Sequence, residues 1–171
     1  MAQRPHRYAL ALGSNRALAA DRPPARLLAE AAGLIAAQAR IVATAPMIVT
    51  PPLGPSARHF VNGALLIDSA LPPREMLAFL QQAEASLGRR RHRRWGARTI
   101  DIDIILWSGG VWRSRSLTIP HAAFRQRAFV LTPLMAIAPG WRDPVTGLTM
   151  RQLDARLQKP KAKVDHRPRR D

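Results

Sequence analysis

Thr99-Ile100-Asp101-Ile102-Asp103-Ile104-Ile105-Leu106 alternates β-branched apolar residues with acids, and that period of two predicts a strand. Successive strand side chains point to opposite faces, so Ile100, Ile102 and Ile104 share one face and Asp101 and Asp103 the other. At about 3.3 Å rise per residue the two acids start roughly 6 to 7 Å apart, close enough to converge on one or two hard cations, magnesium being the natural candidate. Like charges on one strand face are unfavourable without a counter-charge. That counter-charge stands directly upstream, where Gly88-Arg89-Arg90-Arg91-His92-Arg93-Arg94-Trp95-Gly96-Ala97-Arg98 packs five arginines, an imidazole and an indole between two glycines, with a sixth arginine just beyond. Such a segment suits a loop that closes over a triphosphate; arginines around an aromatic also suit a nucleic-acid surface.

Outward from this core the chain mixes strands and helices without strict alternation. His6–Leu12 reads as an apolar strand ending at the turn Gly13-Ser14-Asn15. Pro23-Pro24 then open a helix over Ala25–Arg40, whose Leu27, Leu28, Ala31, Leu34 and Ile35 recur at helical spacing. Ile41–Thr50 is strand-like but interrupted by Pro46, and Thr50-Pro51-Pro52-Leu53-Gly54-Pro55 forms a rigid loop. Phe60–Ile67 is a further strand. Pro72-Pro73 open a second helix with an apolar face of Met76, Leu77, Leu80, Ala83 and Leu87, which Gly88 stops. Val111–Ile119 reads as a short hairpin and Arg127–Ile137 as a helix containing Pro133. This pattern predicts an α+β sandwich with helices packed on a largely antiparallel sheet.

The 171 residues suit one compact domain, and 47% hydrophobic content is that of a globular protein. The chain carries 27 basic and 11 acidic residues, a net charge of +16 that points to an anionic partner, either nucleic acid or phosphorylated small molecules. The three lysines all lie at Lys159, Lys161 and Lys163, so a phosphate site in the folded body is built from arginine, whose planar fork binds phosphate oxygens in pairs. With no cysteine, neither a thiol nucleophile nor a thiolate metal site is available. The start MAQRPHRYALALGSN lacks the core of a signal peptide and no apolar run reaches about 18 residues, so a soluble, cytoplasmic protein is expected. Residues 1–158 read as the single domain, and 159–171 as a basic, disordered tail with too few apolar side chains to offset its ordering entropy. The common phosphate loops, GxxxxGK and GxGxxG, do not occur.

Gly13-Ser14-Asn15, Thr50-Pro51-Pro52-Leu53-Gly54-Pro55, Phe60-Val61-Asn62, the run from Gly88-Arg89 to Asp103, Pro120-His121 and Arg127-Ala128-Phe129 together resemble the 6-hydroxymethyl-7,8-dihydropterin pyrophosphokinase family. The order and spacing match from about residue 8 to 153, and the arginine loop running through Arg-Trp-Gly-x-Arg into Asp-Ile-Asp is the most specific element. The resemblance implies a ferredoxin-like sandwich, a monomer, and transfer of pyrophosphate from ATP to the pterin's hydroxymethyl group in folate biosynthesis. It implies two magnesium ions on Asp101 and Asp103 and catalytic roles for Arg89, Arg91 and Arg98. It puts Gln81, Arg91, Arg94, Trp95, Arg98, Ile104, Thr118, His121 and Arg127 against ATP. Phe60 and Phe129 would sandwich the pterin, Asn62 would bond its edge, backbone groups of Thr50 and Leu53 would read the rest, and Pro51 and Trp95 would border it. The chain departs from the family at Ala97, where Pro is usual, at Ala122, at Ser116, and in an arginine loop one residue short.

Read without the resemblance, the residues also admit a nucleic-acid-binding module, or another metal-dependent phospho- or nucleotidyltransferase. Replacing Asp101 by Asn separates these readings. A metal-dependent transferase loses turnover while keeping its fold by circular dichroism, whereas a nucleic-acid module binds as well as before or better, in a steeply salt-dependent way.

Overall fold

Strand β1, His6–Ser14, places large side chains on one face and small ones on the other. Tyr8, Leu10 and Leu12 enter one core layer, while Ala9 and Ala11 enter the second. A computed structural model of the chain describes residues 5–52, 58–89 and 99–159. After β1 come α1 (Pro24–Ala36), β2 (Arg40–Thr44), β3 (Ile48–Thr50), β4 (Phe60–Ser69), α2 (Pro73–Ser86) and β5 (Asp101–Trp107). The chain continues through the hairpin β6 (Trp112–Arg113) and β7 (Thr118–Ile119), a 3-10 turn Phe124–Gln126, α3 (Ala128–Ile137) and α4 (Met150–Gln158).

The main sheet runs β2-β4-β1-β5, with β3 also paired to β4. Every described pairing in it is antiparallel. Because β1 and β2 both oppose β4, and β4 and β5 both oppose β1, α1 and α2 are crossovers of two interleaved βαβ units, which is the ferredoxin-like arrangement. Helices α1 and α2 cover the Leu10 face, where Leu28, Ile35, Met76 and Leu80 are fully buried or nearly so. Helices α3 and α4 cover the Ala9 face with Val130, Leu131, Leu134, Met150 and Leu153. The expected α+β sandwich is therefore present, and alanine on β1 is what lets α3 approach its sheet face.

Several boundaries differ from the sequence reading. Helix α1 stops at Ala36 rather than Arg40, because Arg40 already pairs with Asp68 in the sheet, and Leu34 lies 38% exposed. Pro46 does split Ile41–Thr50 into β2 and β3. Gly88 ends the turn after α2 at φ +81, a left-handed conformation that glycine adopts without penalty. Helix α4 went unforeseen, although Thr149 and Gln152 form a reciprocal capping box at its start, a signal that the sequence carries. No helix among the described residues is long and apolar enough to cross a membrane. The proposed tail lies outside the described residues from 160 onward.

Two buried carboxylates tie the periphery to this frame. Asp68 on β4 accepts a forked pair from Arg7 on β1, at 2.7 and 2.9 Å, and also meets Arg40 on β2. Asp143, with no exposed surface, accepts from Arg125 Nε and Nη2 at 2.7 and 2.8 Å, from Thr146 Oγ1 at 2.6 Å and from the Val145 N–H at 3.1 Å. Burial alone would raise the Asp143 pKa, but these donors outweigh it and hold the group at about 2 against an ordinary 3.8. A folded-state pKa below the unfolded one stabilises the fold above the unfolded value and is lost as pH falls through the folded one. That difference corresponds to roughly 2 kcal/mol. The Asp143→Asn variant is expected to be less stable at neutral pH, and its stability to change less between about pH 4 and 2 than that of the parent, as measured by urea titration across that range.

Candidate functional site

At one end of the sheet the register sets three positions in a row. Gly13 on β1 faces Asn62 on β4 and Asp101 on β5. Strand alternation fixes their direction. Ala64 and Leu66 point into the α3/α4 layer, so Phe60 and Asn62 share that side. Ile102 and Ile104 point into the α1/α2 layer, so Asp101 and Asp103 take the opposite side, as their spacing predicts. A Cβ at Gly13 would sit 3.1 Å from Asn62 Oδ1, so glycine keeps the middle of this row open. Asn62 is buried, and its Nδ2 donates to Thr50 Oγ1 on β3 at 2.8 Å, which sets the direction of the amide.

Past Asp103, β5 carries an irregularity. Ala9 pairs with Leu106 while Leu10 pairs with Ile104, leaving Ile105 as the extra residue of a bulge. Its carbonyl accepts from the His121 N–H at 3.1 Å, which draws the segment after β7 against β5. His121 Nδ1 accepts from the Ala123 N–H at 3.2 Å, so the ring proton belongs on Nε2, 4.0 Å from Asp103 Oδ2. Arg127, just before α3, accepts the Val130 and Leu131 N–H groups on its carbonyl, both at 3.0 Å. Its guanidinium carbon lies 5.7 Å from the centre of the Phe129 ring, within cation–π range.

The counter-charge for the acids comes from Arg89, three residues past the end of α2. Arg89 Nη1 is 2.8 Å from Asp101 Oδ1 and also pairs with Glu84. Glu84 is buried, and its other oxygen accepts the Ile102 N–H at 2.7 Å, between the two aspartates. Burial pushes the Glu84 carboxyl upward despite the Ile102 and Arg89 donors that favour its charged form. Burial likewise raises Asp103, reinforced by the negative charge of Asp101 and opposed by His121, Arg127 and Arg89. An acid pair under that strain attracts a cation. Among the described residues no group of three or more His, Cys, Asp or Glu side chains is arranged to hold a metal, so a hard cation on Asp101 and Asp103 would draw its other oxygens from phosphate and water.

The fold thus brings Arg89, Asp101, Asp103, His121 and Arg127 into one electrostatic neighbourhood, with Thr50, Phe60 and Asn62 at the same sheet end. Phe129 packs at the edge of the α3/α4 core. Gln81 is exposed on α2 one turn before Glu84, and Thr118 is exposed on β7. Ile104 is 3% exposed with its side chain in the α1/α2 core. Pro51 is exposed beside Thr50. Leu53, Arg91, Arg94, Trp95 and Arg98 lie outside the described residues. Glu84 escaped the sequence reading, although it is the acid in the stripe Met76, Leu80, Glu84, where helical spacing calls for an apolar residue.

An acid pair at a sheet end, faced by guanidinium and imidazole groups on a ferredoxin-like sandwich, defines a site suited to phosphoryl-group chemistry. Residues 9–139 match the family described as 7,8-dihydro-6-hydroxymethylpterin-pyrophosphokinase (HPPK), and the chain belongs to that family. It is 42% identical over 119 residues to a 2-amino-4-hydroxy-6-hydroxymethyldihydropteridine pyrophosphokinase of Methylorubrum extorquens, covering 69% of this chain and 74% of the relative. It is 35% identical over 159 residues to the like-named Bacillus subtilis protein, covering 91% of this chain and 92% of the relative. A crystal structure of Plasmodium falciparum HPPK-DHPS aligns with a TM-score of 0.70 at 15% identity, covering 89% of this chain but only 44% of that one, and shows the shared fold.

The Glu84–Arg89–Ile102 arrangement makes a stability prediction. Glu84→Ala strands a buried N–H and removes one of the two carboxylates that Arg89 meets, and should cost about 2 to 4 kcal/mol, whereas Glu84→Gln keeps an acceptor for Ile102 and should cost less. Chemical denaturation of the two variants beside the parent reads the difference.

Proposed function

We propose that the protein transfers pyrophosphate from ATP to 6-hydroxymethyl-7,8-dihydropterin, giving AMP and the pterin diphosphate, as a step of folate biosynthesis. The observation that carries this reading is the row Asn62, Gly13, Asp101, which sets a group able to hydrogen-bond a heterocycle edge directly across from an acid able to hold a metal–nucleotide complex. Family membership supports the reaction class.

In this reading the hydroxymethyl oxygen attacks the β-phosphorus, the bond from that phosphorus to the oxygen bridging it to the α-phosphorus breaks, and AMP leaves with that oxygen. The hydroxyl proton passes to solvent or a nearby base. Asp101 and Asp103 hold magnesium, two ions being our expectation, and when bound the metal supplies neutralisation of phosphate charge. Arg89 lies beside Asp101 and meets the same phosphates, with Arg91 and Arg98 assigned to the same task. His121 directs its Nε2–H, and Arg127 its guanidinium, towards the triphosphate; Gln81, Arg94, Trp95, the Ile104 main chain and Thr118 complete the nucleotide contacts. Asn62, held by Thr50, reads the pterin edge; Phe60 and Phe129 stack on its faces; Pro51, Leu53 and Trp95 border it. The partners are then these two small molecules, with neither nucleic acid nor membrane required, for a monomer working in the cytoplasm.

Incubation with ATP, magnesium and the pterin, followed by separation of the nucleotides, tests the proposal. AMP should appear in equal amount with pyrophosphorylated pterin. ADP, or no nucleotide product from folded protein, would reject it. Gly13→Ala should selectively raise the KM for the pterin, because the added methyl crowds Asn62 Oδ1.

A further inference from the structure

We infer that the Arg125–Asp143 ion pair is a positioning device for the nucleotide half of the site, holding His121 and Arg127 in place without touching substrate. The inference rests on the assignment of those two residues to the nucleotide. Both belong to the short segment between β7 and α3, outside the strands of the sheet. His121 is secured at one end by the Ile105 carbonyl, and its own carbonyl accepts the Phe124 N–H at 3.2 Å. The Phe124 carbonyl in turn accepts the Arg127 N–H at 3.2 Å. Arg127 is extended, at φ −116 and ψ 99, and is the N-cap of α3, joined to the helix through its carbonyl and to the preceding turn through its N–H. Beside the core side chain of Phe124, the polar anchor at the middle of the segment is Arg125, four residues after His121 and two before Arg127.

That anchor is built with more bonds than a surface turn needs. Arg125 lies 4.8 Å from the centre of the fully buried Phe124 ring and forks onto both oxygens of Asp143. Asp143 is itself immobilised. Its N–H donates to the Leu148 carbonyl, and its carbonyl accepts the Gly147 N–H, each at 2.8 Å. Its carboxylate also receives Thr146 and the Val145 N–H. The 143–148 turn leads directly into α4. The segment from His121 to Arg127 is thereby tied to the turn that leads into α4, whose Met150 and Leu153 share the Ala9-face core with Phe124. Phe129 is different: it sits within α3, whose Val130, Leu131 and Leu134 are buried in their own right. Loss of the ion pair should therefore displace His121 and Arg127 while leaving the pterin contacts of Asn62, Phe60 and Phe129 in place.

The test compares Asp143→Asn, Arg125→Lys and Arg127→Ala with the parent by calorimetric titration with MgATP and, separately, with the pterin, at a temperature well below each variant's unfolding midpoint. The proposal expects Asp143→Asn and Arg125→Lys to weaken MgATP binding by about 10-fold, with pterin affinity changed less than about 2-fold. A lysine keeps the charge but cannot make the fork, and its partly exposed position keeps Arg125→Lys foldable if Asp143→Asn is not. Unchanged MgATP affinity in a folded Arg125→Lys or Asp143→Asn protein, alongside weakened binding in Arg127→Ala, would reduce the pair to a purely structural one. Equal losses for both ligands would do the same. If Arg127→Ala binds MgATP as the parent does, the assignment of Arg127 itself fails, and the inference falls with it.

Discussion

The pairing of β1 between β4 and β5 is the constraint on which the rest of the site depends. One strand, antiparallel to both neighbours, brings Asn62 and Asp101 to either side of Gly13, although 39 positions separate the two in the chain. A slip of one residue in either ladder would turn one of those side chains into the α1/α2 core, where an unpaired amide or carboxylate is costly. The apolar faces guard against that slip: Tyr8, Leu10 and Leu12 on β1, with Leu65, Ile67, Ile102 and Ile104 beside them, all bury on the same side. Core packing and site assembly are thus two consequences of one register.

Electrostatics adds a second layer. Asp101 and Asp103 face the same way at short spacing, and the protein compensates them from three directions: Arg89 from the end of α2, His121 through the bulge at Ile105, and Arg127 from the start of α3. Glu84 takes part twice, since one carboxylate orients Arg89 and also captures the Ile102 N–H between the aspartates. Helix α2 is therefore keyed to β5 by a polar contact inside an otherwise apolar interface, which makes the position of Arg89 relative to the acid pair a property of the core rather than of a surface loop.

Much of the site was legible beforehand because its chemistry is local. Two aspartates two residues apart on a strand must share a face, and the isoleucines between them must take the other; the structure places all five residues from Ile100 to Ile104 accordingly. The break at Pro46, the stop at Gly88 and the α3 helix follow equally from short-range steric and hydrogen-bonding rules. What escaped were groups whose partners lie far along the chain. Glu84 looks like one more charged helix residue until Ile102 is brought beside it, 18 positions away. The Thr50 hydroxyl gains a role only when β3 pairs with β4, and Arg125 only when the turn at Asp143 returns to meet it, again 18 positions on.

The sequence by itself determined the element types, the two-faced character of each strand, the acid pair with its basic counterpart, and through these motifs the family. Tertiary structure alone decided which carboxylate answers which arginine, where the bulge in β5 falls, and which residues hold the site in position without belonging to it. The physical reason is range. Backbone sterics and side-chain periodicity act over a few residues and are written in the order of the chain, whereas the direction of an ion pair or of a buried amide depends on strands and turns that meet only after the loops between them close.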